Sequence, residues 1–181
     1  MSRVDQLVEI YSRHISLSWQ SDLAGPQRAI FIVYNKSDER RLRARIDLFE
    51  YETKKAKHDW RLCDLSTVFA EWMSETDYRD EYFLSPEDLE LKLEEEFPEF
   101  VANKIKGVLT DDGVDEDTVV AITGVGSLLG FAHVSEIMER VEASIRGRIL
   151  VFFPGEHENS NFRLLDARDG WNYLAVPLAA Q

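Results

Sequence analysis

The chain has one cysteine, Cys63. No internal disulfide can form, so the fold must rest on its own apolar core, and a lone thiol fits a reducing compartment. No apolar run approaches the roughly 20 residues of a membrane-spanning helix. The opening MSRVDQLVEIYSRH is charged where a secretory leader would be apolar. A cytoplasmic location without membrane attachment is therefore expected. Histidine is scarce: His14, His58, His133 and His157 stand at no metal-ligand spacing. Basic charge is also short, with 21 Lys/Arg against 34 Asp/Glu and a net charge of −13. That balance disfavours a surface made to coat nucleic acid. There is no internal repeat and no low-complexity tract.

What remains is a domain-sized chain of 181 residues. A domain of that size buries about 70% of its unfolded surface and needs no metal or disulfide staple. Residues 1–181 read as a single domain. Val4, Leu7, Val8, Tyr11 and Ile15 recur at helical spacing. The run AIFIVY, Ala29 to Tyr34, reads as a strand buried on both faces. A helix follows, capped by Ser37 and reaching about Lys57, with Leu42, Ile46, Phe49 and Thr53 on its inner side. WRLCDL is a second strand. Ser66 or Thr67 caps the next helix, and residues 74 to 84 form a connection. Ser85-Pro86-Glu87-Asp88 marks another helix start. Pro98 predicts a kink or break near Phe97. From residue 118 the order is strand (TVVAITGV), glycine turn, helix, strand (RILVFFP), polar loop, strand (YLAVPL). Strands alternating with helices predict an α/β fold, a three-layer sandwich with a mostly parallel central sheet flanked by helices.

The glycine turn Gly124 to Gly130 lies where a phosphate loop would lie, after a strand and before a helix. Its spacing fits neither known form. G-x-G-x-x-G requires glycine at Leu129, and a P-loop requires Gly-Lys-Ser/Thr where the chain has Gly130-Phe131-Ala132. The glycines read as packing geometry, with nucleotide binding as the alternative. Cys63 sits inside a strand, and Ser127, His133 and Ser135 match no nucleophile signature. No catalytic residue and no cofactor is expected, and the chain reads as a non-enzyme.

Charge is unevenly spread. Residues 74 to 117 hold sixteen Asp/Glu and four Lys/Arg, so nearly all the imbalance lies there. The segment reads either as a solvated helix face or as an acidic docking surface for a basic partner. Arg40, Arg41, Arg43 and Arg45 form a candidate basic patch. Interleaved acids favour local pairing there, with contact to DNA phosphate as the other reading. After Pro154 comes a polar block bearing Glu156, Glu158, Asn159, Asn161, Arg163, Asp166, Arg168, Asp169, Trp171 and Tyr173. It follows a strand's C-terminal end, where α/β sheets carry their sites. The block reads either as a self-satisfied loop, its Arg–Asp pairs and side-chain caps holding a long connection, or as a recognition surface; aromatics and arginine anchor interfaces, so these ten residues are the candidate for the second.

The same block carries a resemblance. GRILVFFPGEHENSNFRLLDARDGWNYLAVPL resembles the C-terminal signature of the BrxB family, in its FFPGE, its Asn-bearing turn, its R-L-L-D and its G-W-N-Y-L-A-V-P. SRVDQLVEIY, the IFIVY–DERRLRAR unit, WRLCDL and the glycine turn are similar to the family too. The resemblance covers essentially the whole chain. BrxB is a small core component of bacterial BREX phage-defence systems, which methylate host DNA and block phage replication. The resemblance implies a noncatalytic subunit, docking on the phosphatase-superfamily protein PglZ within an assembly that also holds the ATPase BrxC and the methyltransferase PglX. It brings no catalytic residue to this sequence.

Overall fold

Strands with no polar residue on either side must be covered on both faces, and the chain arranges its helices to do so. A computed structural model describes residues 1–181. Its elements in chain order are α1 (Arg3–Ile15), β1 (Ala29–Tyr34), α2 (Glu39–Arg43), α3 (Ile46–Lys55), β2 (Asp59–Asp64), α4 (Val68–Glu75), α5 (Arg79–Leu84), α6 (Glu90–Leu109), β3 (Thr118–Thr123), α7 (Val134–Val141), β4 (Arg148–Glu158), β5 (Asn161–Leu164), β6 (Trp171–Asn172) and β7 (Val176–Ala179). Short 3-10 turns join several of them.

Five strands lie in the order β2-β3-β4-β1-β7, each neighbouring pair parallel. β1 and β3 are buried at every position, as their apolar runs require. β2 lies at an edge and buries only Trp60 and Cys63. Burial pushes the Cys63 thiol up to about 11, so it stays protonated. The sheet as a whole is mixed, not mostly parallel as its sequence suggested. β4 runs four residues past its last β1 partner, Pro154, and folds back through the antiparallel strands β5 and β6.

Alternate strand residues feed two apolar clusters. Ile30, Ile32, Leu150 and Phe152 meet Leu7 and Tyr11 of α1, Leu42 of α2 and Phe49 of α3. Phe31, Val33, Val151 and Phe153 meet Trp72 of α4, Phe97 and Val101 of α6, and Ile137 of α7. No helix is long and apolar enough to cross a membrane.

Local details depart from the sequence reading where side chains found other partners. α1 is held by Ser2, which accepts from the Asp5 backbone N–H at 3.1 Å while its own N–H donates to the Asp5 carboxylate at 3.0 Å. Asn35, not Ser37, caps the turn after β1, its side chain accepting from the Ser37 N–H. The expected single helix over 37–57 is two, α2 and α3. The backbone of Arg45 leaves the helix at φ −124° and ψ 10°, and its guanidinium reaches Asp5 at 2.7 Å. Ser85 makes no side-chain cap. α6 runs unbroken through Pro98, because Phe97, Pro98, Val101, Ala102 and Ile105 are all buried and packing outweighs the lost N–H. Residues 79–84, expected as connection, form α5.

One buried polar link joins α1 to α3. Thr53 Oγ1 donates to the Phe49 carbonyl at 2.7 Å, so the buried Tyr11 hydroxyl must donate to Thr53, at 2.6 Å. Thr53→Val would strand that hydroxyl. We expect a loss of about 1–3 kcal/mol in urea denaturation, with most of it recovered in the Tyr11→Phe/Thr53→Val double variant.

At the other end of the sheet, Trp19 stacks on His58 with ring centroids 3.7 Å apart, and the Arg148 guanidinium lies 4.6 Å from the same indole. Arg148 is buried and bonds only the carbonyls of Gly147 and Gln20. Desolvation lowers the His58 pKa against the opposing pull of Asp117, and desolvation with Arg148 lowers that of His14. The unfolded chain therefore binds protons first as pH falls below the ordinary histidine value of 6.5. Stability is full above that value and is lost as pH falls through the depressed folded values. The urea midpoint should be lower at pH 5.5 than at pH 7.5, and His14→Gln should shrink the difference.

Candidate interaction site at the C-terminal hairpin

The polar block is a hairpin, not a loop. β4 and β5 pair antiparallel, with Gly155 opposite Leu164, Glu156 opposite Arg163, His157 opposite Phe162 and Glu158 opposite Asn161. Asn159 and Ser160 close it with φ of 50° and 64°, the left-handed pair of a two-residue hairpin turn. β6 adds on the far side, Phe162 opposite Trp171 and Asn161 opposite Asn172.

Strand alternation splits the block into two faces. Phe162 and Leu164 point inward and are buried. The Phe162 ring lies 4.8 Å from that of Phe31, 5.5 Å from Trp171 and 5.8 Å from Phe153. The outward face gathers Glu156, Glu158, Asn159, Asn161, Arg163 and Arg168 around a shallow basin of about 410 Å³. Glu156 and Arg163, directly opposite in register, form an ion pair that holds the arginine's pKa above its usual value. Glu158 and Arg168 have no ion-pair partner.

The other four candidates lie elsewhere. Asp166 turns away and pairs with Lys36, beyond β1. Asp169 and Trp171, with Arg168 again, line one wall of a groove of about 770 Å³. Its remaining walls are the α6 residues Glu90, Leu93 and Glu94 and the segment from Leu129 to Glu136. His133 and Ser135 lie in this groove, away from Ser127. Tyr173 is buried, and its hydroxyl donates to Glu142 at 3.2 Å. It belongs to the hairpin's support, not its exposed surface.

A family model described as BREX protein BrxB matches residues 63–178, more than half of the chain and the whole of this hairpin. The chain belongs to the BrxB family. Membership implies a role in BREX phage defence and a place in a BREX complex. No curated protein and no solved structure matches the chain.

The matched region also contains the glycine turn. Gly124 has φ 78°, and a Cβ there would stand 2.5 Å from the Ser66 backbone nitrogen. The turn thus needs glycine both for its conformation and for close approach to the loop after β2. Ser127 Oγ braces the two, within donor reach of the carbonyls of Leu65 and Gly124 at 2.9 and 2.6 Å. A crevice of about 360 Å³ opens here between the C-terminal ends of β1, β2 and β3. Its cations are engaged, Lys36 with Asp166 and Arg43 with Glu39. An anion entering would compete with a carboxylate at each.

In the basic patch, the four arginines are exposed but unequal. Arg43 donates to Glu39 at 2.7 Å and to Ser66 at 2.6 Å, and Arg45 pairs with Asp5. Arg40 and Arg41 have no ion-pair partner. No three acids, histidines or cysteines are grouped to hold a metal ion.

Proposed function

We propose that the chain is a noncatalytic core subunit of the BREX assembly, a protein-interaction adaptor that docks on PglZ and is needed for phage restriction and host DNA methylation. BrxC and PglX complete that assembly. The observation that carries this reading is the hairpin's outward face. Its charged side chains stand on a rigid aromatic floor made by Phe162, Phe31, Phe153 and Trp171. A backbone ordered in this way loses little freedom on binding, which favours association. Arg163 and Arg168 supply one of the residue types enriched at interface hot spots.

The test is co-purification of PglZ with the tagged chain from cells making both. A stable complex is expected, and the two proteins eluting separately on gel filtration would overturn the reading. The Arg163→Gln/Arg168→Glu variant should retain at least tenfold less PglZ at a little-changed melting temperature, since both residues are exposed and an exposed ion pair such as Arg163 with Glu156 contributes little to stability.

A further inference from the structure

The chain leaves a second surface uncovered, far from the hairpin's outward face in sequence. α5, the turn after it and the start of α6 expose four large apolar side chains in a short span: Tyr78 at 72%, Phe83 at 68%, Leu84 at 86% and Leu91 at 70%. Isolated exposed apolar residues are ordinary, but a group of them marks an interaction site. The segment is anchored, not loose: Leu89 is buried, Tyr82 packs on the core, and the Lys92 ammonium lies 5.7 Å over the Tyr82 ring.

The charge around these residues decides what can cover them. Residues 74–96 hold ten Asp/Glu and two Lys/Arg. Only Asp80 and Glu96 have a cation within ion-pair distance, Arg79 and Lys92 respectively. Next to it, pairing resumes, Lys104 with Glu71 and Arg140 with Glu99 and Glu136. Here eight carboxylates stand unpaired among exposed apolar side chains. Such a surface repels phosphate, so nucleic acid and anionic lipid are poor occupants. A protein segment with positive charge and apolar side chains satisfies both features at once.

We infer that the α5–α6 face is a docking surface for a basic, apolar-studded segment of a partner protein. Glu90 and Glu94 extend the acidic rim onto the wall of the 770 Å³ groove, where Leu93, Leu129, Phe131 and Trp171 offer apolar contact. Charge steers the segment in, and Phe83, Leu84 and Leu91 anchor it. The inference rests on the chain being an interaction subunit, but not on PglZ as the partner bound here.

The test places p-benzoylphenylalanine at Phe83 in the full chain, made together with the other components of its BREX system. Irradiation and sequencing of the adducts follow. The expected adduct lies on one segment of positive net charge with apolar residues beside its lysines or arginines. Glu87→Lys/Asp88→Lys/Glu90→Lys should reduce it at least tenfold, and so should the single change Leu84→Ser at a nearly fully exposed position. The same probe at Tyr51, exposed on α3, should not give that adduct. No adduct, an adduct on an acidic or neutral segment, an adduct on a second copy of the chain, or indifference to both variants would overturn the inference. If PglZ fails to co-purify while the Phe83 adduct forms on another component, the PglZ reading falls and this surface stands. If PglZ is retained through Arg163 and Arg168 and Phe83 gives no adduct, the reverse holds.

Discussion

Phe162→Ala is expected to lower stability by about 3–5 kcal/mol, the usual cost of emptying a fully buried phenylalanine site. The ring is the inner half of the hairpin, tilted or edge-on against Phe31, Phe153 and Trp171 and 4.5 Å from the His157 ring. Its removal leaves a cavity that those neighbours cannot all close, because Phe31 and Phe153 belong to the central strands and are fixed by their own packing. Urea denaturation followed by tryptophan emission should show the loss. Hydrogen exchange should localise part of it, with the amides of residues 161–164 losing protection before those of β1 and β3. PglZ retention should fall with it, since the outward charges would no longer stand on a rigid support. Arg163→Gln/Arg168→Glu gives the contrast, with retention lost and stability little changed. A Phe162→Ala chain as stable as the parent would mean that the hairpin contributes nothing to the core.

Much of this was legible in the sequence, and the parts that were not share a cause. AIFIVY, TVVAIT and RILVFF are continuous apolar runs, and each became a central strand. The hairpin was hidden because its outward face is polar at every position and its turn is Asn159-Ser160, without the glycine that usually announces a tight hairpin. A period-two signal was present in Asn161-Phe162-Arg163-Leu164, where the second and fourth residues are buried. It is four residues long, too short to stand out in a block rich in Asn, Asp and Arg. In the sequence Tyr173 reads like an exposed aromatic, because composition does not distinguish a buried tyrosine that has a hydroxyl partner from an interfacial one. Glu142 supplies that partner from the turn after α7, thirty-one residues away in the chain. At the break between α2 and α3, Arg45 reaches Asp5 across forty residues, a contact no local rule contains. Among the candidate site residues on the hairpin's outward face, Glu156, Glu158, Asn161 and Arg163 were brought together by register, Asn159 by the turn and Arg168 by the chain folding back after β5, and Asp166 was drawn off by Lys36, again a distant partner.

Gly155→Val should separate the hairpin from the rest of the fold. Gly155 is the residue at which β4 passes from its parallel neighbour to its antiparallel one: Pro154 is the last partner of β1, and Gly155 is the first partner of β5. A Cβ at Gly155 would lie 2.1 Å from the Arg163 carbonyl oxygen and 2.8 Å from the Phe153 ring. The oxygen is backbone, so the strand itself must move, and a branched side chain makes the clash worse. The expected cost is about 3 kcal/mol or more, at the high end of what overpacking does. It falls on the four β4–β5 pairs and spares the parallel register from Ala29–Ile149 to Tyr34–Pro154. Far-UV circular dichroism should therefore change little, while the tryptophan emission shifts to the red as Trp171 is uncovered and the amides of 161–164 lose protection. PglZ retention should be lost as well, whereas the Phe83 crosslink on the α5–α6 face should persist, because that surface rests on Leu89, Phe97 and the α6 core instead. Protected amides at 161–164 in the Gly155→Val chain would show that β5 does not depend on this close approach. Loss of both interactions together would show that the two surfaces are one.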